Sequence, residues 1–326
     1  MGLIVITGAA GYLGGLLATT LSRPRGPAQV RCVVRSQQQA ERWVSAGCEV
    51  VVGDLVDPAV CERAVDGAEI VIHAAARLGR EPRNELFQVN ADATEHLARA
   101  AASRAARMVF VSSIEAYGQF AGRILTEDQP HTPNRHAYSE SKYAAEQAVS
   151  RAYRNRGDGY TIVRPGMIYG PHSVYWTQRY LAKARAGSIG VLGDGGRIFP
   201  VYESDVVDAI ATAAVSVRSR GQTYNLVHDE GLSWWDWAYA HHRLANSGAP
   251  HRESALSLRL RSPWRTLLGR PDYRRRLEVE LRHAQIPHDK ARDHLGWQPR
   301  RFKSGLVQCS RATALMPSAI SERDSQ

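Results

Sequence analysis

A short apolar run, Leu3–Thr7, passes directly into Gly8-Ala9-Ala10-Gly11-Tyr12-Leu13-Gly14, and the stretch Tyr12–Ser22 that follows is amphipathic. No other feature of the chain restricts its fold as strongly. An apolar run entering a glycine-rich turn and then a helical stretch is the start of a β-α-β unit. Glycine is needed there for three reasons. The turn is tight, the helix packs closely on the strand, and the backbone can approach a ligand with no side chain in between. The uncapped N–H groups at the helix start attract an anion, and a diphosphate suits them best.

The rhythm continues downstream. Further strands are expected at Val30–Arg35, Glu49–Val52, Ile70–His73, Met108–Ser112 and Thr161–Arg164. Helices are expected near Gln37–Ala46, Pro58–Val65, Asn84–Ser103 and Ala137–Asn155. The strands are nearly continuous apolar runs, as strands covered on both faces should be. The fold class is therefore α/β, a doubly wound parallel sheet. After Arg164 the rhythm changes, with Pro165-Gly166 and Gly170-Pro171 as punctuation. Residues 1–170 are expected to form the dinucleotide-binding domain, with a return segment at about 199–227. Residues 171–198 and 228–326 are expected to form a smaller, discontinuous C-terminal substrate part, with a frayed tail at Ser318–Gln326.

Composition narrows the class. The four cysteines, Cys32, Cys48, Cys61 and Cys309, lack metal-type spacing and read as reduced thiols, so no metal site is expected. The N-terminus reads as a strand rather than a targeting segment, and a cytoplasmic location is expected. No apolar run is long enough for stable membrane insertion. The net charge is +10, with much of the excess between Arg252 and Lys303, including Arg259, Arg261, Arg265, Arg270 and Arg274-Arg275-Arg276. That region reads as a solvated basic face or as a surface for an acidic partner. No nucleic-acid motif accompanies it, so the expected partner is a small-molecule substrate.

The second strand ends in Val33-Val34-Arg35-Ser36. An acidic residue at that point would bond a ribose 2′-hydroxyl, whereas arginine favours a 2′-phosphate. Arg35 therefore points to NADP(H), with NAD(H) as the alternative. Ala74-Ala75-Ala76 ends the fourth strand, where small residues let the backbone pass beneath a cofactor. Tyr138 and Lys142 are four apart and share a helix face. Free tyrosine titrates near ~10, too high for neutral acid/base work. A neighbouring ammonium stabilises phenolate and lowers that value, and lysine can also hold the nicotinamide ribose. Val111-Ser112-Ser113 ends the preceding strand and places a hydroxyl beside the pair, from Ser113 or from its neighbour Ser112.

The G-x-x-G-x-x-G spacing resembles the short-chain dehydrogenase/reductase superfamily, and later segments resemble its extended members. These are Ser112-Ser113-Ile114-Glu115-Ala116-Tyr117-Gly118, Val163-Arg164-Pro165-Gly166-Met167-Ile168-Tyr169-Gly170-Pro171, and Asp289-Lys290-Ala291 through Leu295-Gly296-Trp297-Gln298-Pro299. The resemblance runs from about Gly2 to about Leu306 and implies a Rossmann-type fold and a homodimer. It implies cofactor contacts at Gly8, Gly11, Tyr12, Leu13, Gly14, Asp54 and Leu55, and a steadying role for Asn90. It also implies catalysis by Ser113, Tyr138 and Lys142. Two chemistries fit: hydride transfer to or from a secondary alcohol or ketone, as in 3β-hydroxysteroid dehydrogenases and dihydroflavonol reductases, or nucleotide-sugar epimerisation or dehydration with a retained cofactor. A non-catalytic cofactor sensor is a third reading. Glu115 has the spacing of the dehydratase base but reads rather as a loop anchor, with the acid/base role as the alternative. Arg35 and the apolar, basic stretch Leu256–Leu268 favour the oxidoreductase. Trp234, Trp235 and Trp237 read as core, with stacking on a ring substrate as the alternative.

Overall fold

The computed structural model describes residues 2–22, 29–79, 81–120, 122–134, 136–193, 195–254, 256 and 273–314. The tail beyond 314, nearly all of Leu256–Leu268 and the arginines at 259, 261, 265 and 270 lie outside the described residues.

Seven strands form one sheet: β1 (Leu3–Thr7), β2 (Gln29–Val34), β3 (Glu49–Val52), β4 (Ala68–His73), β5 (Arg107–Val111), β6 (Tyr160–Pro165) and β7 (Gln222–Leu226). Their order is β3-β2-β1-β4-β5-β6-β7, and every pairing is parallel. This is the expected doubly wound sheet. Each strand alternates its side chains between two covered faces. Ile4, Ile6, Cys32, Val34, Ile72, Val109 and Val163 pack on one side with Leu13, Leu17 and Ala18 of α1 (Tyr12–Leu21) and Trp43 of α2 (Gln37–Ser45). Val5, Val33, Val71, Met108 and Phe110 pack on the other. Their partners there come from α3 (Pro58–Val65), α5 (Ala93–Ser103) and α6 (Ala137–Tyr153).

The chain runs outward through β1, β2 and β3, then returns to the far side of β1 as β4. That reversal leaves a crevice between the C-terminal ends of β1 and β4, the switch point at which such sheets bind ligands. Beneath it, the buried ring of His73 joins Thr7 to Thr94 of α5, with Nδ1 2.6 Å from the Thr7 hydroxyl and Nε2 2.8 Å from the Thr94 hydroxyl.

One expected helix differs. Asn84–Ser103 is α4 (Arg83–Phe87), a π turn at Gln88–Asp92, and then α5. Asn90 is buried in this wide turn, and its carbonyl accepts from the Thr94 hydroxyl at 2.7 Å.

A second, smaller core gathers Met167, Tyr169, Ile189, Val191, Trp237 and Phe302. It draws on α7 (Arg179–Arg185) and α9 (Trp234–Leu244), the latter opened by a capping box between Ser233 and Asp236. Trp234 and Trp237 are buried here, so core packing accounts for them. The closing Asp289–Pro299 segment is fastened to α8 (Glu203–Val215). Trp297 donates to the Asp205 carbonyl at 2.8 Å, and Arg300 meets the Asp205 carboxylate at 2.7 Å.

Burial pushes the His73 imidazole down to about 3, and the Lys142 ammonium acts in the same direction. Unfolding restores a value near ~6.5, so below that pH the unfolded chain binds the extra proton. The stability His73 confers should therefore fall as the pH drops from about 6.5 to about 3. In denaturant titrations the advantage of wild type over His73→Gln should shrink by roughly 1.4 kcal/mol per pH unit in that window. An advantage that does not change with pH contradicts this account.

Candidate active site

Three glycines shape the end of β1. Gly8 has a left-handed backbone (φ 71°), and a Cβ there would lie 2.8 Å from the backbone of Ala75. A Cβ at Gly14 would collide with the carbonyl of Gly8, so α1 docks at this distance only with glycine. Gly11 donates to the Gly8 carbonyl at 2.8 Å and starts α1 with no side-chain cap. The first N–H groups of the helix are thus left to a ligand.

The crevice beside this turn is a cavity of about 220 Å³. Gly8, Gly11, Arg35, Asp54, Leu55 and Ala74–Ala76 line it, with Arg77 as an addition. Most of the residues expected to hold a dinucleotide are thus brought to one place. Leu13 packs in the sheet core and Gly14 against the Gly8 backbone, so neither offers a side chain to a ligand. Tyr12 turns away, donating its hydroxyl to Glu203 at 2.5 Å. Glu203 also faces His172 Nδ1 at 3.0 Å. Arg35 is exposed at the end of β2. Asn90 accepts from the Arg77 N–H at 2.8 Å and donates to the Arg77 carbonyl and to Ser141, at 3.1 and 3.0 Å. It pins the loop after β4 to α6.

A glycine turn with open N–H groups, a crevice at the switch point and an arginine at its rim fit a dinucleotide of the nicotinamide type. The fit rests on the turn itself, whose glycines leave space that a Cβ would fill.

Of the second group of expected residues, Lys142 and Ser113 lie at the end of β5. Lys142 is 2% exposed, donates to the Val111 carbonyl at 2.7 Å, and lies 4.4 Å from the centre of the Phe110 ring. Burial pulls its ammonium down to about 7, with Glu146 acting in the opposite direction. Tyr138, one helical turn earlier, is half-buried against Gly79, where a Cβ would lie 3.1 Å from the tyrosine Cβ. Ser113 caps the short turn Ile114–Tyr117 by accepting from the Glu115 N–H at 3.2 Å. Ser139 donates to the Glu115 carbonyl at 2.5 Å and ties that turn to the start of α6.

The structure separates the two serines. Ser112 lies on the same sheet face as Met108 and Phe110, and its buried hydroxyl donates to Glu146 at 2.5 Å. Glu146 is also gripped by Arg164 through bonds of 2.9 and 2.7 Å. Ser112 is thus spent on an internal network, whereas Ser113 is partly exposed. Glu115 pairs with Arg282 at 2.9 Å, which gives it an anchoring contact. Sequence reasoning did not find Arg282, Glu203 or the Glu146–Arg164 pair. Arg77 adjoins Ala76 and was legible by adjacency, but the pairs with Arg282 and Glu203 span 167 and 191 residues with no local signal.

A family model described as the NAD dependent epimerase/dehydratase family matches residues 4–226. The chain is 31% identical to a ceramide reductase of Caulobacter vibrioides, over 63% of its own length and 58% of that protein's. It is also 31% identical to a dTDP-4-dehydrorhamnose reductase of Mycobacterium tuberculosis, over 67% of each. Among solved structures, a UDP-glucose 4-epimerase of Thermotoga maritima superposes with a TM-score of 0.78 at 20% identity, covering 97% of this chain and 99% of that one. The last likeness concerns the fold. Because the family model spans more than half of the residues, the chain belongs to the NAD dependent epimerase/dehydratase family.

Proposed function

We propose that this protein is an NADP(H)-preferring oxidoreductase acting on a secondary alcohol or ketone. The burial of Lys142 at the end of β5, one helical turn after Tyr138, with the turn that Ser113 caps tied to the start of the same helix by Ser139, supports the reading. The reductase names borne by several relatives support it. Gly8, Gly11 and the first N–H groups of α1 would hold the diphosphate, and Asp54 and Leu55 the adenosine end. When bound, the cofactor supplies or accepts the hydride.

The remaining steps belong to the chain's own groups. Ser113 donates a hydrogen bond to the substrate oxygen and orients it. In reduction, the Tyr138 hydroxyl delivers a proton to that oxygen. In oxidation, the phenolate takes it back. Lys142 in its ammonium form stabilises the phenolate. Because burial draws Lys142 to about 7, that support weakens as the pH rises above neutrality. Glu115, committed to Arg282, positions the serine turn and moves no proton. We assign the smaller core around Trp237, from residues 171–198 and 228–326, to the substrate. A homodimer, implied by the resemblance, completes the reading.

Tyr138→Phe should lower NADPH-linked turnover of a carbonyl panel by about 10²–10⁴. Its NADPH affinity, read by calorimetry, should stay close to that of wild type. Wild-type turnover in this variant contradicts the mechanism. Arg35 is read as the 2′-phosphate selector, so wild type should bind NADPH more tightly than NADH. Arg35→Asp should cut that preference by about tenfold or more, the equivalent of roughly 1.4 kcal/mol. An unchanged ratio removes Arg35 from cofactor selection.

A further inference from the structure

The proposed reaction needs the Ser113 and Tyr138 hydroxyls at one substrate oxygen, yet the two residues stand on different elements. Ser113 opens the turn Ile114–Tyr117 after β5, and Tyr138 lies in the first turn of α6. The chain between them folds back on the serine turn. Successive carbonyls from Glu115 to Gly118 each accept a bond from residues 131–139. Glu115 accepts from the Ser139 hydroxyl at 2.5 Å, and Ala116 from His131 Nδ1 at 2.8 Å. Tyr117 accepts from the Thr132 N–H at 2.9 Å, and Gly118 from the Asn134 side-chain amide at 3.0 Å.

His131 does more than close one of these bonds. Its Nε2 lies 3.2 Å from each Glu140 oxygen, and Glu140 falls between Tyr138 and Lys142 on α6. Its ring lies flat on Tyr143, one helical turn further along, with centres 4.0 Å apart and planes 9° from parallel. The side chain is 5% exposed, which leaves water little access to either contact. A carbonyl and a carboxylate can only accept, so holding both takes an N–H on each ring nitrogen. The second proton brings a positive charge, which Glu140 balances and the Tyr143 face accommodates. The Asn134 N–H also reaches Glu140, at 3.2 Å. An imidazole has no rotatable bond between its two nitrogens, so the ring fixes the separation of the groups it joins. One of them bears directly on the serine: the Ala116 N–H donates to the Ser113 carbonyl at 3.0 Å.

We propose that His131 is a positioning residue, which sets the Ser113 hydroxyl against Tyr138 by bridging the Ala116 carbonyl to the Glu140 carboxylate. It moves no proton in the reaction and acts through Ser113. The inference rests on the oxidoreductase reading for what Ser113 and Tyr138 do, and on the bridge itself for how they are held.

The test uses the full chain, NADPH and whichever ketone of the carbonyl panel is reduced fastest. His131→Phe keeps a ring against Tyr143 and removes both donors. Its kcat should fall about tenfold or more, because small misplacements of reacting groups cost at least that much. NADPH affinity, read by calorimetry, should stay within about twofold of wild type. A double-mutant cycle separates positioning from a general loosening of the fold. If His131 works through Ser113, adding His131→Phe to Ser113→Ala should cost almost no further kcat. Separate losses that multiply, or a wild-type kcat in His131→Phe, overturn the proposal. Where His131→Phe does not fold, Glu140→Gln keeps the shape of the carboxylate, removes its charge, and completes the same cycle with the same two outcomes. Hydrogen exchange gives a readout that needs no substrate. Peptides spanning residues 113–119 should exchange about tenfold faster or more in the variant, while α5 exchanges as in wild type. Unchanged exchange in the serine turn also overturns the proposal. If wild type reduces no ketone of the panel, the reaction reading fails, and the exchange measurement decides the bridge by itself.

Discussion

The structure turns on the seam where β1 and β4 leave the sheet together. Two backbones approach there so closely that a single Cβ on Gly8 would lie 2.8 Å from Ala75. The approach is possible because Gly8 takes a left-handed conformation and because α1 starts on Gly11 with Gly14 packed against the Gly8 carbonyl. It is held from below by the Thr7–His73–Thr94 chain, which couples β1, β4 and α5 through one neutral imidazole. The crevice, the open N–H groups at the helix start and the course of the following loop all follow from that approach. Asn90 then carries its geometry to α6 by holding both the Arg77 backbone and Ser141.

A second constraint acts at the end of β5, where charged groups are buried on the face that α6 covers. Arg164 and Glu146 satisfy each other and absorb the Ser112 hydroxyl. Lys142 has a carbonyl and an aromatic face in place of a carboxylate. The difference has a chemical consequence. A buried lysine locked in an ion pair would keep its proton over the whole working range, whereas desolvation brings Lys142 to about 7. The same burial that stabilises the sheet thus sets the charge beside Tyr138.

Most of the fold was legible in the sequence, because its signals are local. Strands covered on both faces read as apolar runs, and β1, β3 and α3 match their expected limits residue for residue. The glycine turn, Arg35 and the Tyr138/Lys142 spacing are local as well. What stayed hidden depends on tertiary contacts. The π turn exists because Asn90 is drawn inward to the Arg77 backbone, a demand that periodicity does not record. Ser112 and Ser113 are neighbours of identical chemistry, and only the sheet parity that turns Ser112 toward Glu146 tells them apart. Glu115 has the spacing of a base, but its partner Arg282 lies 167 residues away, an anchoring contact that no local pattern records.

An oxidoreductase of the kind proposed exchanges its cofactor at each turnover and does not retain one for internal redox. The most direct measurement is to purify the protein without added nucleotide, denature it, and identify and quantify any nicotinamide dinucleotide released. The account predicts far less than one dinucleotide per chain. A stoichiometric yield of tightly held NAD or NADP would contradict it and point instead to a retained-cofactor epimerase or dehydratase.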